Sequence, residues 1–333
     1  MSPPEGRRCA AFDAPSDLSA PRHGTLTLSN HAAPSLKTKY RVVHFRFSRL
    51  ARPCRLSQRT TSYPQLGLEL EVKQFEVPSL VGDDNNLEIR FPEAESNLDQ
   101  DAEWFEVKLG GEWKRLRIHD YDQVYMIPGL YECVVYRALK CNSPVKVTQL
   151  LVEALQDEEL SPSTLRVLDF GAGNGMEGPE LQNVGVDIVV GADIIEEGKL
   201  STERDRGWAY ADYLVDDFTA LSAENEKRLR NHRLNAMTVV AALGFGDIPT
   251  KAFAKAIDVL ETPAWIAFNI KEDFVQDKDE SGFAEMLREL AREDVLRTQA
   301  YRRYRHRFSS SGKPLYYGAM VVSKQKEIPR RFL

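Results

Sequence analysis

Apolar and polar residues alternate with a period of two from Leu66 to Ile118, in short runs separated by turn residues. This period is typical of half-buried β-strands, and the pair Gly110 and Gly111 suits a two-residue hairpin turn. That turn fixes a register which matches an apolar residue with an apolar one and an acid with a base: Phe105 opposite Leu116, and Glu106 opposite Arg115. We predict a small β-rich addition over residues 63–118.

After residue 118 the pattern changes to helical spacing interrupted by short apolar runs. The spacing predicts helices at about 129–139 and at 143–156, the second capped by Ser143, and further helices around 253–260 and 283–290. Runs of strand length lie between helices or close the chain, among them MTVVAAL, AWIAFNI and LYYGAMVV. The alternation of strands and helices predicts an α/β fold with a doubly wound, mostly parallel sheet.

The composition is that of an ordinary folded protein with a large core, with 333 residues, 42% of them hydrophobic and 28% charged. The longest apolar stretches are far shorter than the roughly 18 residues that a membrane span needs, so we predict no transmembrane helix. The four cysteines, which show neither a metal-site spacing nor a disulfide framework, are expected to be reduced thiols: Cys9, Cys54, Cys133 and Cys141. We predict no metal site.

Charge divides the chain into a basic start and an acidic remainder. Residues 1–68 hold eleven Lys or Arg against three acids, whereas the whole chain has a net charge of −6. A basic, Ser-rich and acid-poor segment is typical of an organelle transit peptide, of a disordered tail, or of translated sequence upstream of the true start. We predict that residues 1–62 lie outside the fold, and we expect a cytoplasmic protein with organelle targeting as the alternative. The acidic remainder is a poor match for nucleic acid.

The run VLDFGAGNG, residues 167–175, joins a short apolar strand to three alternating glycines. Glycines at this point let the backbone turn sharply and approach a ligand closely. Asp193 follows about 20 residues later at the end of a second apolar run, where an acid can bind ribose hydroxyls. Gly173, Gly175 and Gly178 also satisfy the dinucleotide pattern GxGxxG. In that pattern the first glycine closely follows the strand, whereas here the turn already begins at Gly171, before the first glycine of the pattern.

The order acid, x, Gly, x, Gly, x, Gly resembles the first motif of class I S-adenosylmethionine-dependent methyltransferases. The last two predicted strands, within residues 301–324, resemble the antiparallel closing hairpin of that family, whereas a dinucleotide domain usually closes with parallel strands. The resemblance covers about residues 165–324. It implies a seven-stranded sheet in a Rossmann-like catalytic domain at 159–333, lid helices at 119–158, and S-adenosylmethionine as cofactor. An NAD(P)-dependent oxidoreductase and a catalytically silent binding subunit of the same fold stay open as alternatives.

The resemblance also implies a cofactor site made of the glycine loop and of residues that follow the next three strands. Asp169 would order the loop, Asp193 would hold the ribose, and Asp217, in preference to Asp216, would bind the adenine amino group. The full set is Asp169, Gly171, Ala172, Gly173, Asn174, Gly175, Asp193, Ile194, Asp216, Asp217, Phe218 and Ala242.

The segment before the glycine loop is dense in Tyr, His and Asp, and we interpret it as a lid over the substrate. The candidate acceptor contacts are His119, Asp120, Tyr121, Tyr125 and Tyr131, together with Phe245 and Asp247 after the fourth strand. That strand ends without the NPPY-like run of enzymes that methylate nucleic-acid bases or glutamine, so we expect a small-molecule acceptor, with no nucleic-acid or membrane partner and with a homo-oligomer left open. The sequence does not identify a catalytic base, although His119 and His306 are available. The accepting atom is therefore left as sulfur, nitrogen or oxygen.

Overall fold

A computed structural model describes residues 40–46, 86–92, 98–243, 247–271 and 281–333. Its first sheet has four antiparallel strands in chain order: β1 (Tyr40–Arg46), β2 (Asn86–Pro92), β3 (Trp104–Leu109) and β4 (Glu112–Arg117). The predicted hairpin register is confirmed, since Phe105 lies opposite Leu116 and Glu106 opposite Arg115. The predicted ion pair also forms, with 3.2 Å between Arg115 Nη2 and Glu106 Oε1.

The prediction that residues 1–62 lie outside the fold is wrong for β1. This strand pairs with β2 along its whole length, from Tyr40 opposite Pro92 to Arg46 opposite Asn86. The strand forms because it pairs with β2, which lies some 46 residues further along the chain. Pairing with so distant a segment cannot be predicted from the local sequence pattern of β1.

Seven strands form the second sheet: β5 (Arg166–Phe170), β6 (Ile188–Asp193), β7 (Asp212–Val215), β8 (Ala236–Leu243), β9 (Ala264–Lys271), β10 (Leu296–Phe308) and β11 (Pro314–Lys324). Their order is β10-β11-β9-β8-β5-β6-β7, and all neighbours from β9 to β7 are parallel. Strand β11 runs antiparallel to both β9 and β10. The predicted doubly wound, mostly parallel α/β sheet with an antiparallel closing hairpin is confirmed. Its strand order reverses at β5, where open α/β sheets bind ligands.

The α-helices of the described residues are α1 (Tyr121–Val124), α2 (Ser143–Asp157), α3 (Glu177–Asn183), α4 (Glu196–Arg206), α5 (Ala223–Asn231), α6 (Thr250–Asp258) and α7 (Phe283–Arg292). A π-helix spans Glu132–Ala138, and short 3₁₀ helices span Gln100–Ala102, Pro162–Thr164 and Arg330–Phe332. Helix α2 forms where it was predicted, but Ser143 does not cap it. Asn142 precedes the helix without a side-chain cap, and the Ser143 hydroxyl instead bonds Tyr304 at 2.7 Å and His306 at 2.6 Å. None of the helices in this part of the chain combines the length and hydrophobicity that a membrane crossing needs.

Both faces of the large sheet are covered by apolar helix faces. One buried cluster joins Leu151 of α2, Val167 of β5 and Leu181 of α3. A second cluster joins β5, β8 and β9 to helices α5, α6 and α7, including Phe253 and Leu290. Burial on both faces explains why the parallel strands are continuous apolar runs rather than alternating ones.

The small sheet packs against the segment that was predicted to be a lid. A third buried cluster joins Ile89 and Phe105 of the small sheet to Leu130, Cys133 and Val134. A buried acid links the small sheet to the closing hairpin. The side chain of Glu103, which precedes β3, binds Arg307 of β10 at 2.6 Å and accepts the Ser310 N–H at 2.6 Å. The small sheet therefore supports the lid from behind.

These contacts predict the effect of removing the N-terminal residues. A variant that begins at Thr38 keeps every described element, whereas one that begins at Ser62 lacks β1 and leaves one edge of β2 unpaired. We expect the first variant to unfold at the temperature of the full chain and the second at a temperature lower by about 3 °C or more, measured by circular dichroism. Equal unfolding temperatures for the two variants would show that β1 contributes nothing to stability.

Candidate functional site

The carboxyl ends of β5, β6, β7 and β8 open into a cleft of about 1120 Å³, part of it open to solvent. All of the predicted cofactor residues except Gly175 line this cleft: Asp169, Gly171, Ala172, Gly173, Asn174, Asp193, Ile194, Asp216, Asp217, Phe218 and Ala242. Gly175 shapes the loop from behind, where a Cβ atom would lie 3.0 Å from the Thr202 side chain. Eleven of the twelve predicted cofactor residues thus lie together at one cleft, and Gly175 lies on the far side of the loop.

The glycine loop is held in a conformation that few other residues adopt. Gly171, Gly173 and Gly175 have φ angles of +77°, +51° and +79°, in the left-handed region that disfavours a Cβ atom. The Gly173 N–H donates to the Asp193 carboxylate at 2.8 Å, and the Gly173 carbonyl accepts from the Tyr213 hydroxyl at 2.7 Å. Since both polar groups of this residue are bonded to side chains of β6 and β7, the loop is fixed before any ligand arrives.

Asp169 lies below the loop and is 1% exposed. Its carboxylate accepts the Tyr210 hydroxyl at 2.6 Å and the Thr238 hydroxyl at 3.4 Å. Burial raises the pKa of Asp169, and the two hydrogen bonds offset part of that rise. Glu177, which the sequence did not single out, is also buried at the cleft wall, where burial and then the nearby Asp169 raise its pKa. Asp169 thus anchors the loop through its neighbours.

Asp193 ends β6 with both carboxylate oxygens directed at backbone donors. One oxygen accepts the Gly173 N–H, and the other accepts the Ile195 N–H at 3.0 Å. Burial raises the pKa of this carboxyl, and the backbone hydrogen bonds oppose the rise. A carboxylate oxygen can accept more than one hydrogen bond, so both oxygens can also receive hydroxyls from the cleft. The next residue, Ile194, is 63% exposed at the cleft wall and offers an apolar surface.

The two acids after β7 have different surroundings. The Asp216 carboxylate accepts the Ser222 hydroxyl at 2.7 Å and the Asn225 amide at 2.8 Å, so it stabilises the start of α5. The exposed Asp217 uses only Oδ1, for Thr219, and its Oδ2 has no hydrogen bond among the described residues. Beside them Phe218 is buried against Phe170, with ring centroids 4.6 Å apart. Asp217 is therefore the acid with an acceptor oxygen to spare for a ligand.

Three lid tyrosines cover the loop. Tyr121, Tyr125 and Tyr131 line the cleft, and the ring centroids of Tyr121 and Tyr125 are 5.4 Å apart in a stacked arrangement. The Tyr125 hydroxyl lies directly over Gly173, where an added Cβ atom would be 2.5 Å from it. Burial raises the pKa of all three hydroxyls, so they stay protonated and can donate hydrogen bonds.

Two arginines of α4 bind the lid, and one of them also binds the glycine loop. Arg204 donates to the carbonyl of Tyr125 at 3.0 Å. Arg206 binds the Glu132 carboxylate at 2.5 Å and the Asn174 carbonyl at 3.0 Å, and the Asn174 amide also donates to Glu132 at 3.1 Å. The lid and the glycine loop are therefore parts of one hydrogen-bonded network.

A second, smaller cavity, also partly open to solvent, adjoins the cleft between the lid, the residues next to the small sheet and the closing hairpin. It shares Tyr121, Tyr131 and Asp247 with the cleft and is also lined by His119. The sequence did not point to three further residues that line it: Gln100, Arg307 and Tyr317. Two of these lie on the closing hairpin, where a register shift between residues 305 and 307 breaks the simple alternation of faces, so no local signal marks them.

The remaining acceptor candidates fall in different places. Asp120 was predicted as a contact, but its carboxylate accepts the Arg117 backbone N–H at 2.8 Å, and Asp120 lines neither cavity. This correction has a local cause, since the short Asp120 side chain bonds the backbone of the residue three positions earlier in the same turn. Phe245 lies outside the described residues, as do Cys9 and Cys54. Asp247 lies at the rim of both cavities, and partial burial raises its pKa.

His306 lines the second cavity but has a structural environment. It is 4% exposed, its Nδ1 atom lies 2.6 Å from the Ser143 hydroxyl, and its ring stacks on Tyr317 with centroids 4.1 Å apart. Burial lowers its pKa well below the usual value, so the ring is neutral. Among the residues that the structure describes, no group of three or more His, Cys, Asp or Glu side chains is placed to hold a metal ion.

The geometry at Gly173 generates a test of the loop. Replacing Gly173 by Ala places a methyl group against the Tyr125 hydroxyl and leaves a non-glycine residue at a positive φ angle. We expect Gly173→Ala to lower the free energy of unfolding by about 1–3 kcal/mol, measured by urea denaturation. The double variant with Tyr125→Phe should regain part of this loss, because the closest clashing atom is then absent. No loss in the single variant would contradict the described loop.

Comparison with known proteins gives likenesses of fold. No protein-family model and no curated protein sequence matches the chain. Among solved structures, a candidate sarcosine dimethylglycine methyltransferase from Galdieria sulphuraria is 17% identical over 63% of this chain and 100% of its own, with a TM-score of 0.43. A magnesium protoporphyrin IX methyltransferase from Synechocystis PCC 6803 with bound SAM is 14% identical over 55% and 79%, with a TM-score of 0.37.

A third similar structure is a candidate RNA methyltransferase from Pyrococcus horikoshii, 13% identical over 54% of this chain and 85% of its own, with a TM-score of 0.39. At such identities and TM-scores the features of the chain itself decide the fold. The strand order of the large sheet reverses at β5, its last strand is antiparallel, and β5 carries Asp169 just before the positive-φ glycine loop. By these features the chain has the class I methyltransferase fold.

Proposed function

We propose that the protein is an S-adenosylmethionine-dependent methyltransferase with a small-molecule acceptor. One observation carries the proposal, namely the order of groups along the cleft. A preformed glycine loop, the carboxylate of Asp193 and the spare oxygen of Asp217 follow one another at the ends of β5, β6 and β7. This order matches the amino acid part, the ribose and the adenine of S-adenosylmethionine, with the exposed Ile194 beside the base.

The residues of the chain supply binding, orientation and exclusion of water. S-adenosylmethionine supplies an activated methyl group, which an acceptor takes by in-line displacement, so the protein needs no covalent intermediate. Asp193 offers acceptors for two ribose hydroxyls, and charge-assisted hydrogen bonds of this kind are strong. The lid tyrosines cover the loop and shield the reacting centre from solvent, while the network around Arg206 holds them in place.

Two features favour S-adenosylmethionine over NAD. The antiparallel β11 closes the sheet, where a dinucleotide-binding domain usually has parallel strands. In a dinucleotide fingerprint the second glycine, here Gly175, would let the pyrophosphate approach, but Gly175 faces Thr202 and Tyr210 and does not line the cleft. The oxidoreductase reading has no comparable support in the cleft.

The acceptor side supports a small molecule. The cavity beside the cleft is bounded by the lid, by residues next to the small sheet and by the closing hairpin, and a site bounded on three sides favours a compact acceptor over a polymer. Beyond residue 68 the chain has an excess of acids, which opposes the binding of a phosphate backbone. The small-molecule acceptor is therefore the better supported choice.

Calorimetric titration with S-adenosylmethionine, S-adenosylhomocysteine and NAD tests the cofactor. We expect the first two ligands to bind and NAD not to bind. Asp193→Asn should weaken S-adenosylmethionine binding about 10- to 100-fold, because a charged acceptor is lost from the ribose and from the loop. Asp187→Asn is the matched control, since Asp187 is an exposed acid just before the same strand. This variant should bind S-adenosylmethionine with the affinity of the native protein. Binding of NAD alone would favour the oxidoreductase.

A screen for S-adenosylhomocysteine production tests catalysis and acceptor class together. Small thiols, amines and phenols should include at least one compound that is turned over, whereas total RNA and denatured protein should not be methylated. Methylation of RNA or protein with no small-molecule turnover would contradict the small-molecule acceptor. Cofactor binding without turnover of any acceptor would favour a catalytically silent binding subunit.

A further inference from the structure

One carboxylate oxygen at the cofactor cleft has no partner. Glu177, the first residue of α3, lines the cleft and is 3% exposed. Its Oε1 atom accepts the Thr148 hydroxyl of α2 at 2.7 Å, whereas its Oε2 atom is shielded from water and has no hydrogen bond to any described residue. An unpaired oxygen in the interior costs free energy, so buried polar atoms are nearly always bonded. The missing partner of Oε2 is therefore expected from a ligand in the cleft.

The surroundings of Glu177 are negative or neutral in the part of the chain that the structure describes. The groups that face it are two further carboxyls, one hydroxyl and two phenols: Asp169, Glu180, Thr148, Tyr136 and Tyr210. Burial, and then repulsion from Asp169, raise the pKa of Glu177 well above that of an exposed glutamic acid. A cation beside the carboxylate would oppose both effects, because it stabilises the ionised form. This end of the cleft therefore favours a positively charged ligand group.

The same end of the cleft also offers hydrogen-bond donors. Tyr131 and Tyr136 line it, with ring centroids 6.0 Å apart. Burial raises the pKa of both hydroxyls, so they keep their protons and can donate to a carboxylate. An anionic side chain on one side and neutral donors on the other suit a zwitterion, which carries an ammonium and a carboxylate on the same carbon.

We propose that Glu177 binds the α-ammonium group of S-adenosylmethionine, with Oε2 as the acceptor of a charge-assisted hydrogen bond. This inference rests on the proposed function, because it assigns a further residue to one end of the same ligand. The last torsion of a glutamate side chain is broad, so Oε2 can turn toward the ligand while Oε1 stays near Thr148.

The position of Glu177 favours the cofactor over the amine of an acceptor. Glu177 lies two residues after Gly175, and it lines the cleft but not the second cavity. A nitrogen bound as an ammonium has no lone pair to take a methyl group, so a cation site suits the donor. Asp169 is less suitable as the partner, since both of its oxygens already accept hydrogen bonds, from Tyr210 and Thr238.

Calorimetry with S-adenosylhomocysteine and with its analogue that lacks only the α-amino group tests this contact. We expect the native full-length protein to bind the analogue about 10- to 100-fold more weakly than S-adenosylhomocysteine. Glu177→Gln keeps the shape of the side chain and removes its charge. This variant should lose about 10- to 100-fold in affinity for S-adenosylhomocysteine but bind the analogue within about threefold of the native protein, because the two changes remove the same contact.

Glu180→Gln is the matched control. Glu180 lies on the same helix but lines neither cavity, so this variant should bind both ligands within about threefold of the native affinity. An equal loss of affinity for the two ligands in Glu177→Gln would assign Glu177 a structural role and overturn the proposal. Native affinity for S-adenosylhomocysteine in Glu177→Gln would overturn it as well.

A measurement on the native protein covers the case in which Glu177→Gln does not fold. Near neutral pH the raised pKa values of Asp169 and Glu177 leave this pair partly protonated before binding, and a bound ammonium should displace that proton. Calorimetry in buffers of different ionisation enthalpy should therefore show proton release with S-adenosylhomocysteine and none with the analogue. Equal release with the two ligands, or none with either, would contradict the proposal.

The native protein also separates this proposal from the proposed function. If it binds S-adenosylmethionine and S-adenosylhomocysteine but binds the analogue equally well, the role of Glu177 is wrong and the cofactor assignment stands. If it binds neither S-adenosylmethionine nor S-adenosylhomocysteine, the proposed function itself fails.

Discussion

The constraint on which the site depends is the fixed backbone of Gly173. Its N–H is held by Asp193, its carbonyl is held by Tyr213 and Thr202, and the Tyr125 hydroxyl covers its Cα atom. Contacts from β6, β7, α4 and the lid therefore converge on one residue that lacks a side chain. Because both polar groups of this buried peptide are hydrogen-bonded, holding it in one conformation does not incur the free-energy cost of an unpaired polar group. The same contacts place the ribose acid and the lid at set positions around the loop.

This constraint links the cofactor side of the molecule to the acceptor side. The lid is bonded to α4 through Arg204 and to the loop through Arg206, and it is supported from behind by the apolar face of the small sheet. Below the second cavity the ion pair of Glu103 and Arg307 is almost completely buried, with exposed fractions of 2% and 3%. A buried pair of this kind costs much to break, so it fixes the hairpin relative to the residues that precede β3. The small sheet thereby contributes to the shape of the acceptor cavity without providing its chemistry.

The sequence predicted those parts of the fold that depend on local pattern. The glycine loop, the register at Phe105 and the closing hairpin could be predicted from the sequence, because turn residues and periodicity act over only a few residues. β1 was missed because it forms by pairing with β2 rather than through a local pattern. Ser143 was wrongly predicted to cap α2 because its hydroxyl bonds Tyr304 and His306, which lie about 160 residues away in the chain. The acceptor cavity combines residues from distant strands and loops, so its shape could not be predicted from any single segment.

The central claim is that the cleft holds S-adenosylmethionine with its ribose at Asp193 and its adenine beside Asp217. A crystal structure of the protein with S-adenosylhomocysteine tests this claim most directly. The account predicts hydrogen bonds of about 2.7 Å from the ribose hydroxyls to the Asp193 carboxylate, with the sulfur pointing toward Tyr121 and the second cavity. A ligand bound elsewhere, or one in this cleft with the ribose away from Asp193, would contradict it.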